Sequence, residues 1–174
     1  RDRLSDYKAS CEFVHGNFMD IDNILTQLGV TKIDGILFDL GISSFQLDNP
    51  QRGFSFQQDG PLDMRLDRGS FISAYDLINN LTQDEISTLL WSFGEERWHN
   101  RIARYLVKER ESHPISTTAQ LSKIVLQATP SRYRYRHFRI HPATRTFQAV
   151  RIAVNRELET LQLAIDKVVG FLRE

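Results

Sequence analysis

Cysteine is nearly absent from the sequence, with Cys11 as the single thiol among 174 residues. A lone thiol excludes an internal disulfide and a cysteine-based zinc site, and it suits a reducing compartment. No run of about 18 apolar residues is present, so we expect no membrane span. The opening residues RDRLSDYKAS lack the apolar segment of a signal peptide. These absences together predict a cytoplasmic location away from membranes.

A net charge is also lacking, because 22 Lys and Arg balance 22 Asp and Glu. The charge is nevertheless divided along the chain. Residues 1–90 hold 7 basic and 14 acidic side chains, whereas residues 97–156 hold 13 basic and 2 acidic ones and four of the five histidines. Eleven of those 13 are Arg, whose guanidinium forms paired hydrogen bonds with phosphate and stacks on bases. The asymmetry favours a nucleic-acid partner; a solvated basic face paired internally with the acidic half is the alternative.

The overall composition is typical of a globular protein. The chain is 41% hydrophobic and 25% charged, which is enough for one core or for a core with a small subdomain. No internal repeat, low-complexity segment or metal-ligand spacing is evident.

The first part of the chain has a β-α-β pattern. Residues 12–15 and the apolar run 35–38 predict two short strands, the second buried on both faces. Between them, Asp20 can cap a helix that stops at Gly29. This order predicts a parallel pair with a right-handed crossover. Phe18 and Asp39, at the carboxyl ends of the two strands, would then lie side by side at one sheet edge, where open parallel sheets bind ligands. Asp39 could equally cap the next turn.

A long segment follows, residues 41–65, with few helical or strand signals. Loops of this length are usually functional or disordered, but disordered segments are poor in aromatic residues, and this one holds Phe45, Phe54 and Phe56. We therefore predict an ordered binding loop held down by its own apolar side chains. Its polar residues are Asp48, Arg52, Asp59, Asp63 and Arg65.

The rest of the chain has helical patterns. Capping signals at Thr82–Glu85 and Thr117–Gln120 begin two helices, a further helix runs from Glu95 to about Arg110, and residues 70–130 predict a small helical subdomain. Residues 131–140, SRYRYRHFRI, interleave Arg with aromatic rings, a mix that suits single-stranded RNA or, equally, an edge strand. Pro142 is expected at the first position of one long helix that runs to about Glu174.

Three stretches carry a resemblance to a known family. They are DLGISSFQLDNPQRGFSFQQDGPLDMR (residues 39–65), FGEERWHNRIARYLV (residues 93–107) and HPATRTFQAVRIAVNRELE (residues 141–159). They resemble, nearly literally and in the same order, the bacterial small-subunit (16S) ribosomal RNA N4-cytosine methyltransferases, which use S-adenosyl-L-methionine. Together they cover under half of the chain, but they are much more specific than a lone glycine motif.

The resemblance implies an α/β fold: a partial Rossmann-like class I methyltransferase sheet with an inserted all-helical substrate domain. The implied domains are residues 1–69 with the binding loop 41–65, an RNA-recognition insert at 70–140, and a long returning helix at 141–174. The implied partners are ribosomal RNA and the small ribosomal subunit; the oligomeric state is left open.

The resemblance also assigns roles to residues. Phe18, Asp39 and Gln46 match positions that contact S-adenosylmethionine in the family. Asp39 and Asp63 are the candidate catalytic residues. Methyl transfer to an amine needs positioning and the removal of one proton, not a covalent enzyme intermediate, so a chain without a plausible Cys nucleophile is suited to it.

Our own hypothesis is that Asp59, Arg65, His141 and Arg145 bind the substrate, with Asp63 beside them holding the cytosine or its phosphate. Each has a structural alternative. Asp59, Asp63 and Arg65 could form salt bridges that fold the loop, which we favour slightly for Asp59. His141 and Arg145 could cap a helix or pair between domains.

The chain departs from the family pattern because it lacks both the glycine-rich cofactor loop and the acid that follows that loop. We therefore expect an internal fragment of a larger enzyme that binds the cofactor poorly alone. A non-catalytic RNA-binding module that uses residues 97–156 is the main alternative, and a methyltransferase for a different amine is a weaker one.

Overall fold

A computed structural model describes residues 11–134 and 141–173. The chain divides into two compact units. The small unit combines the described residues up to Asp39 with those from Glu157 onward, and the large unit is Leu40–Arg156. The predicted domain limits at 69/70 and 140/141 stay predictions.

The small unit is built from short helices. It contains a 3-10 helix at Phe18–Asp20, α1 at Ile21–Gln27, α9 at Glu157–Val168 and a 3-10 helix at Val169–Phe171. Lys167 on α9 ties these elements together, because its Nζ donates to the Met19 carbonyl at 2.8 Å and to Asp22 Oδ1 at 2.9 Å. Ile33 and Leu172 form an isolated parallel bridge.

The two predicted strands are wrong for this structure. Neither residues 12–15 nor residues 35–38 are in a strand, and Leu37 is 92% exposed. A strand exists only through hydrogen bonds to a neighbouring strand, and the described residues supply only isolated bridges at Ile33–Leu172 and Pro61–Thr117. The Rossmann-like sheet is therefore not confirmed, and the described fold is helical.

The large unit is a helical assembly around one core. Its helices are α2 (Ser44–Asp48), a 3-10 helix (Pro50–Arg52), α3 (Ala74–Asn80), α4 (Gln83–Gly94), α5 (His99–Arg110), α6 (Thr118–Ala128), α7 (Ser131–Arg134) and α8 (Thr144–Asn155). α4 packs on both α5 and α8, and α5 also packs on α6. Fully buried Leu90, Ile102, Leu106, Leu121 and Val150 join these helices in the core.

Local signals set the helix ends in this unit. Thr82 with Glu85, and Thr117 with Gln120, form capping boxes at the starts of α4 and α6, as the sequence predicts. The predicted helix up to Arg110 is confirmed as α5, although it begins at His99 rather than at Glu95.

The single long helix predicted from Pro142 is wrong. α8 begins at Thr144 and ends at Asn155, and Arg156 has a left-handed backbone (φ 49°) that separates it from α9. A non-glycine residue in this region interrupts the helical hydrogen-bond ladder. Of the predicted Arg-aromatic segment, Ser131–Arg134 forms α7, and residues 135–140 lie outside the described residues.

Candidate functional site

The segment at residues 41–65 is ordered and anchored in the large unit. Phe54, Leu62 and Met64 are at most 6% exposed and belong to the core, which confirms the prediction that apolar residues hold the loop down. Phe45, by contrast, is 87% exposed. Burial of three large apolar side chains contributes several kcal/mol, roughly 1.5–3 for each, and gives the polar residues between them a fixed frame.

Two side chains fix the backbone at the end of this loop. Arg52 Nη2 donates to the carbonyl oxygens of Arg65 and Leu66 at 2.7 and 2.9 Å. Asn155, at the end of α8, accepts from the Leu66 N–H at 2.7 Å and donates to the Met64 carbonyl at 2.8 Å. Met64 has a left-handed backbone (φ 60°), so these bonds hold a conformation that a non-glycine residue rarely adopts.

Asn155 was not among the predicted site residues. It lies within the third resembling stretch, residues 141–159, but its partners are 89 and 91 positions away. Only its presence in that stretch could have pointed to it.

Asp63 and Arg65 are brought together as a fork. Arg65 Nε and Nη2 donate to the two Asp63 carboxylate oxygens, both at 2.8 Å, and Arg65 Nη1 donates to the Ser70 carbonyl at 2.6 Å. Hydrogen bonds from Arg65 lower the pKa of Asp63, against the opposing effect of burial. A carboxylate held ionised in this way is a weak proton acceptor, and it fixes the guanidinium in place.

An open cleft of about 310 Å³ lies beside this fork, and both side chains line it. Its other walls come from the loop, the start of α3 and the segment that precedes α6: Pro61, Leu62, Ser73, Tyr75, Asp76 and Ser116.

Asp59 contacts the start of α6. Its Oδ1 accepts from the Ala119 N–H and the Gly60 N–H, both at 3.0 Å. The Ala119 N–H, with further hydrogen bonds, lowers the pKa of Asp59. The carboxylate thus provides a second cap for α6 beside Thr117. This role is structural, as the favoured alternative predicts, but it uses the backbone N–H groups of Gly60 and Ala119 rather than the predicted salt bridge.

His141 contacts aromatic residues of the loop. Its ring stacks on Phe56 with centroids 4.5 Å apart, and Phe56 meets the edge of Phe147 at 5.0 Å. His141 Nδ1 also accepts from the Ala143 N–H at 3.2 Å, just before α8. Because Nδ1 is an acceptor and burial lowers the pKa of His141, the neutral ring is favoured.

A second cleft, of about 330 Å³, opens beside this aromatic group. It is mostly apolar, with a few polar side chains that could orient a ligand. The residues that line it are Ile42, Leu47, Phe54, Ser55, Phe56, Gln57, Thr144, Phe147, Gln148 and Arg151.

Arg145 contacts the residue that follows α4 rather than the Asp63–Arg65 fork. Its Nη1 donates to the carbonyl of Glu95, the residue that follows α4, at 2.8 Å. Arg145 is exposed, so the bond leaves its guanidinium accessible to solvent. Because Arg145 and Glu95 both lie in the large unit, the bond is a contact at the end of α4 rather than pairing between the two units.

Gln46 also has a structural contact. Its Oε1 accepts from the Ser43 N–H at 2.9 Å, and the Ser43 hydroxyl caps α2 in return. The predicted cofactor contact of Gln46 would therefore use the amide nitrogen or a rearranged side chain.

Phe18 and Asp39 lie in the small unit. Phe18 is 38% exposed, and its ring meets that of Phe38, the residue before Asp39, edge to face at 6.0 Å. Asp39 is exposed. An accessible aromatic face and a carboxylate are the groups that adenine and ribose hydroxyls bind, so these residues fit S-adenosylmethionine chemically.

Two features that the described residues lack bear on the chemistry. Within residues 11–134 and 141–173, no cluster of three His, Cys, Asp or Glu could hold a metal ion. Over the same residues, no helix has the length and apolar character that crossing a membrane requires.

Comparison with known proteins decides the family. The model of the MraW methylase family matches residues 1–174. The chain belongs to the MraW methylase family. The resemblance carried by the three stretches is thereby confirmed.

Two curated relatives of this MraW methylase family chain are both named "Ribosomal RNA small subunit methyltransferase H". The protein from Clostridium botulinum (strain 657 / Type Ba4) is 45% identical over 174 residues, which is 100% of this chain and 55% of the relative. That from Geotalea uraniireducens (strain Rf4) is 48% identical over 173 residues, 99% of this chain and 55% of the relative. The chain thus spans about half the length of the curated relatives it matches.

Proposed function

We propose that this chain forms part of an S-adenosylmethionine-dependent methyltransferase that modifies the N4 amine of a cytidine in small-subunit ribosomal RNA, in the cytoplasm. The observation that carries the proposal is the family match over all 174 residues, together with relatives named as small-subunit rRNA methyltransferases. The aromatic cleft of the large unit and the exposed Phe18 and Asp39 of the small unit support it.

Of the three predicted cofactor residues, Phe18 and Asp39 lie in the small unit and Gln46 lies in the large unit. Phe18 would stack on the adenine, and Asp39 would accept hydrogen bonds from hydroxyl or amine groups of the cofactor. S-adenosylmethionine, when bound, supplies an electrophilic methyl group on a sulfonium.

The target base is assigned to the aromatic cleft. Enzymes that act on one base bind it by stacking and by hydrogen bonds to its Watson–Crick edge. Phe54, Phe56 and Phe147 offer the apolar surfaces, and Gln57 and Gln148 offer the donors and acceptors that cytosine requires. His141 stacks on Phe56 and would hold that ring in position.

Of the two predicted catalytic carboxylates, Asp63 is the weaker proton acceptor because Arg65 holds it ionised, and Asp39 keeps its predicted catalytic role. Asp63 is committed to Arg65, so its role is to hold that guanidinium toward RNA phosphate. Methyl transfer then requires alignment of the amine and one nearby acceptor.

The test is a chimera in which this chain replaces the matching segment of the Geotalea relative. We expect labelled methyl groups to enter rRNA when the chimera is incubated with small-subunit particles. Asp39→Asn should lower kcat by about 10²-fold or more, whereas Asp84→Asn, an exposed control on α4, should not. An inactive chimera beside an active, unaltered relative would overturn the proposal.

The alternative is a non-catalytic RNA-binding module, favoured by the basic stretch at residues 97–156. RNA binding by the chain, combined with an inactive but folded chimera, would support it instead.

A further inference from the structure

α5 presents a basic stripe on the side away from the core. Ile102, Ala103 and Leu106 are fully buried, which directs one face of the helix inward. Four basic side chains follow on another side, four, three and four positions apart; the first lies in the turn before α5 and the other three lie on the helix. They are Arg97, Arg101, Arg104 and Lys108, of which Arg101 is half-buried and the others are exposed.

Aromatic rings are interleaved with these cations. The Arg97 guanidinium lies 5.1 Å from the Trp98 ring and 5.7 Å from the Tyr133 ring, and those two rings are 5.4 Å apart. Arg101 and Arg104 lie 5.7 and 6.0 Å from the Tyr105 ring. The stripe together with Trp98, Tyr105 and Tyr133 is here called the α5 surface.

The cations of the α5 surface have no carboxylate partner among the described residues. Counting only the part of the chain that the structure describes, no ion pair involves Arg97, Arg101, Arg104 or Lys108. The neighbouring Glu96 is 5% exposed and accepts from the Trp98 N–H at 3.0 Å, so its carboxylate faces inward. The α5 surface lies within residues 97–156, the strongly basic stretch of the chain.

This combination suits one class of partner. Stacked guanidinium and aromatic planes bind unpaired bases, and the same cations bind the backbone phosphates between them. A duplex buries its base faces and offers only phosphates and groove edges. The three rings are half-buried, and Trp98 and Tyr105 also pack against the core, so a base would contact the part of each ring that stays exposed.

We propose that the α5 surface binds a single-stranded segment of RNA. Bases stack on the Trp98–Tyr133 pair and on Tyr105, while Arg97, Arg104 and Lys108 contact phosphates. The choice of RNA rests on the proposed function, and the α5 surface adds a docking site beyond the cleft assigned to the target base.

The test measures binding of the full 174-residue chain to a labelled single-stranded RNA of about 12 nucleotides by fluorescence anisotropy across a salt series. Combined Arg97→Gln and Arg104→Gln should weaken binding about tenfold or more at low salt. It should also reduce the slope of log K against log salt by about 1.4, because each phosphate contact to a single strand contributes about 0.7.

Tyr105→Leu separates stacking from charge. It keeps an apolar side chain against the core but removes the ring, so binding should weaken roughly tenfold while the salt slope stays unchanged. Lys123→Gln is the matched control, since it removes one exposed cation from α6 and should leave affinity for RNA unchanged. Circular dichroism melting shows that each variant is folded.

Wild-type affinity and salt slope in the folded α5 variants would overturn the proposal, and so would duplex RNA that binds as tightly as the single strand. These outcomes are distinct from failure of the proposed function. If the chimera methylates rRNA but RNA binding does not change in the α5 variants, only this inference is wrong. If RNA binding depends on the α5 surface but the chimera is inactive, only the catalytic proposal is wrong.

Discussion

At the scale of single residues, the Asp63–Arg65 fork shows how the loop directs its charged side chains. Sequence spacing leaves open whether these residues meet substrate or each other. The structure gives Arg65 both Asp63 oxygens and the Ser70 carbonyl, so a salt bridge forms, and the cleft beside it remains open. The two roles are compatible, because a guanidinium held by a carboxylate is well ordered for a phosphate.

Asp63→Asn should lower the free energy of unfolding at neutral pH by about 1–2 kcal/mol, since it removes charge-assisted hydrogen bonds at a partly buried site. The effect should depend on pH. The pKa of Asp63 is lowered by Arg65 from its ordinary value of 3.8, so the stabilisation is complete above that value and is lost as pH falls through the lower, folded-state pKa.

Urea unfolding of the wild type and the variant, at neutral pH and near pH 2, measures this dependence. The stability difference between the two proteins should shrink in acid. A difference of equal size at both pH values would show that the carboxylate acts through its shape rather than its charge. Asp84→Asn controls for the loss of one exposed carboxylate.

At the scale of elements, the close approach of α4 and α8 depends on Gly94. A Cβ atom at this position would lie 2.6 Å from the Arg145 carbonyl oxygen and 2.9 Å from the Ala149 Cβ. Both neighbours are held in α8, so the helix itself would have to move.

Gly94→Ala should therefore destabilise the protein by about 1–3 kcal/mol, as overpacking does in tightly packed interiors. Gly170→Ala is the matched control, because no atom lies within 4 Å of its Cβ position, and its effect should be close to zero. Thermal and urea unfolding of both variants give the comparison. Equal stability of Gly94→Ala and the wild type would mean that α4 and α8 can separate without cost.

The same scale explains which elements could be predicted from the sequence. α4 and α6 depend on capping boxes whose partners are three residues apart, so their starts are readable locally. The strands at residues 12–15 and 35–38 depend on distant neighbours that the described fold does not supply. The helical segment is interrupted at Arg156, although no glycine or proline in the sequence predicts an interruption there.

The candidate site follows the same division. Three buried apolar residues made the order of the loop at residues 41–65 predictable. The contacts of Asp59 with α6 and of Asn155 with Met64 join residues 60 and 91 positions apart. No local pattern encodes such pairs, which is why their geometry required the structure.

At the scale of the whole molecule, the two units differ in how much core they contain. Helices α4, α5, α6 and α8 share a cluster of buried apolar residues, whereas α1 has no buried residue. Phe13, Val14 and Leu37 of the small unit are at least 40% exposed. Local stability follows buried apolar contact, because regions with little of it open without disturbing the rest.

Hydrogen exchange measured by mass spectrometry on the intact chain should therefore distinguish the units. Amides of α5 and α6 should exchange only through global unfolding, and those of α1 should exchange faster by more than about tenfold. Addition of urea below the unfolding midpoint should speed exchange in α5 and α6 steeply, because their opening exposes the core, and should affect α1 little. Equal protection of α1 and α5, with the same urea dependence, would mean that both units open as one cooperative body, and the small unit would then need a source of stability other than its own sparse core.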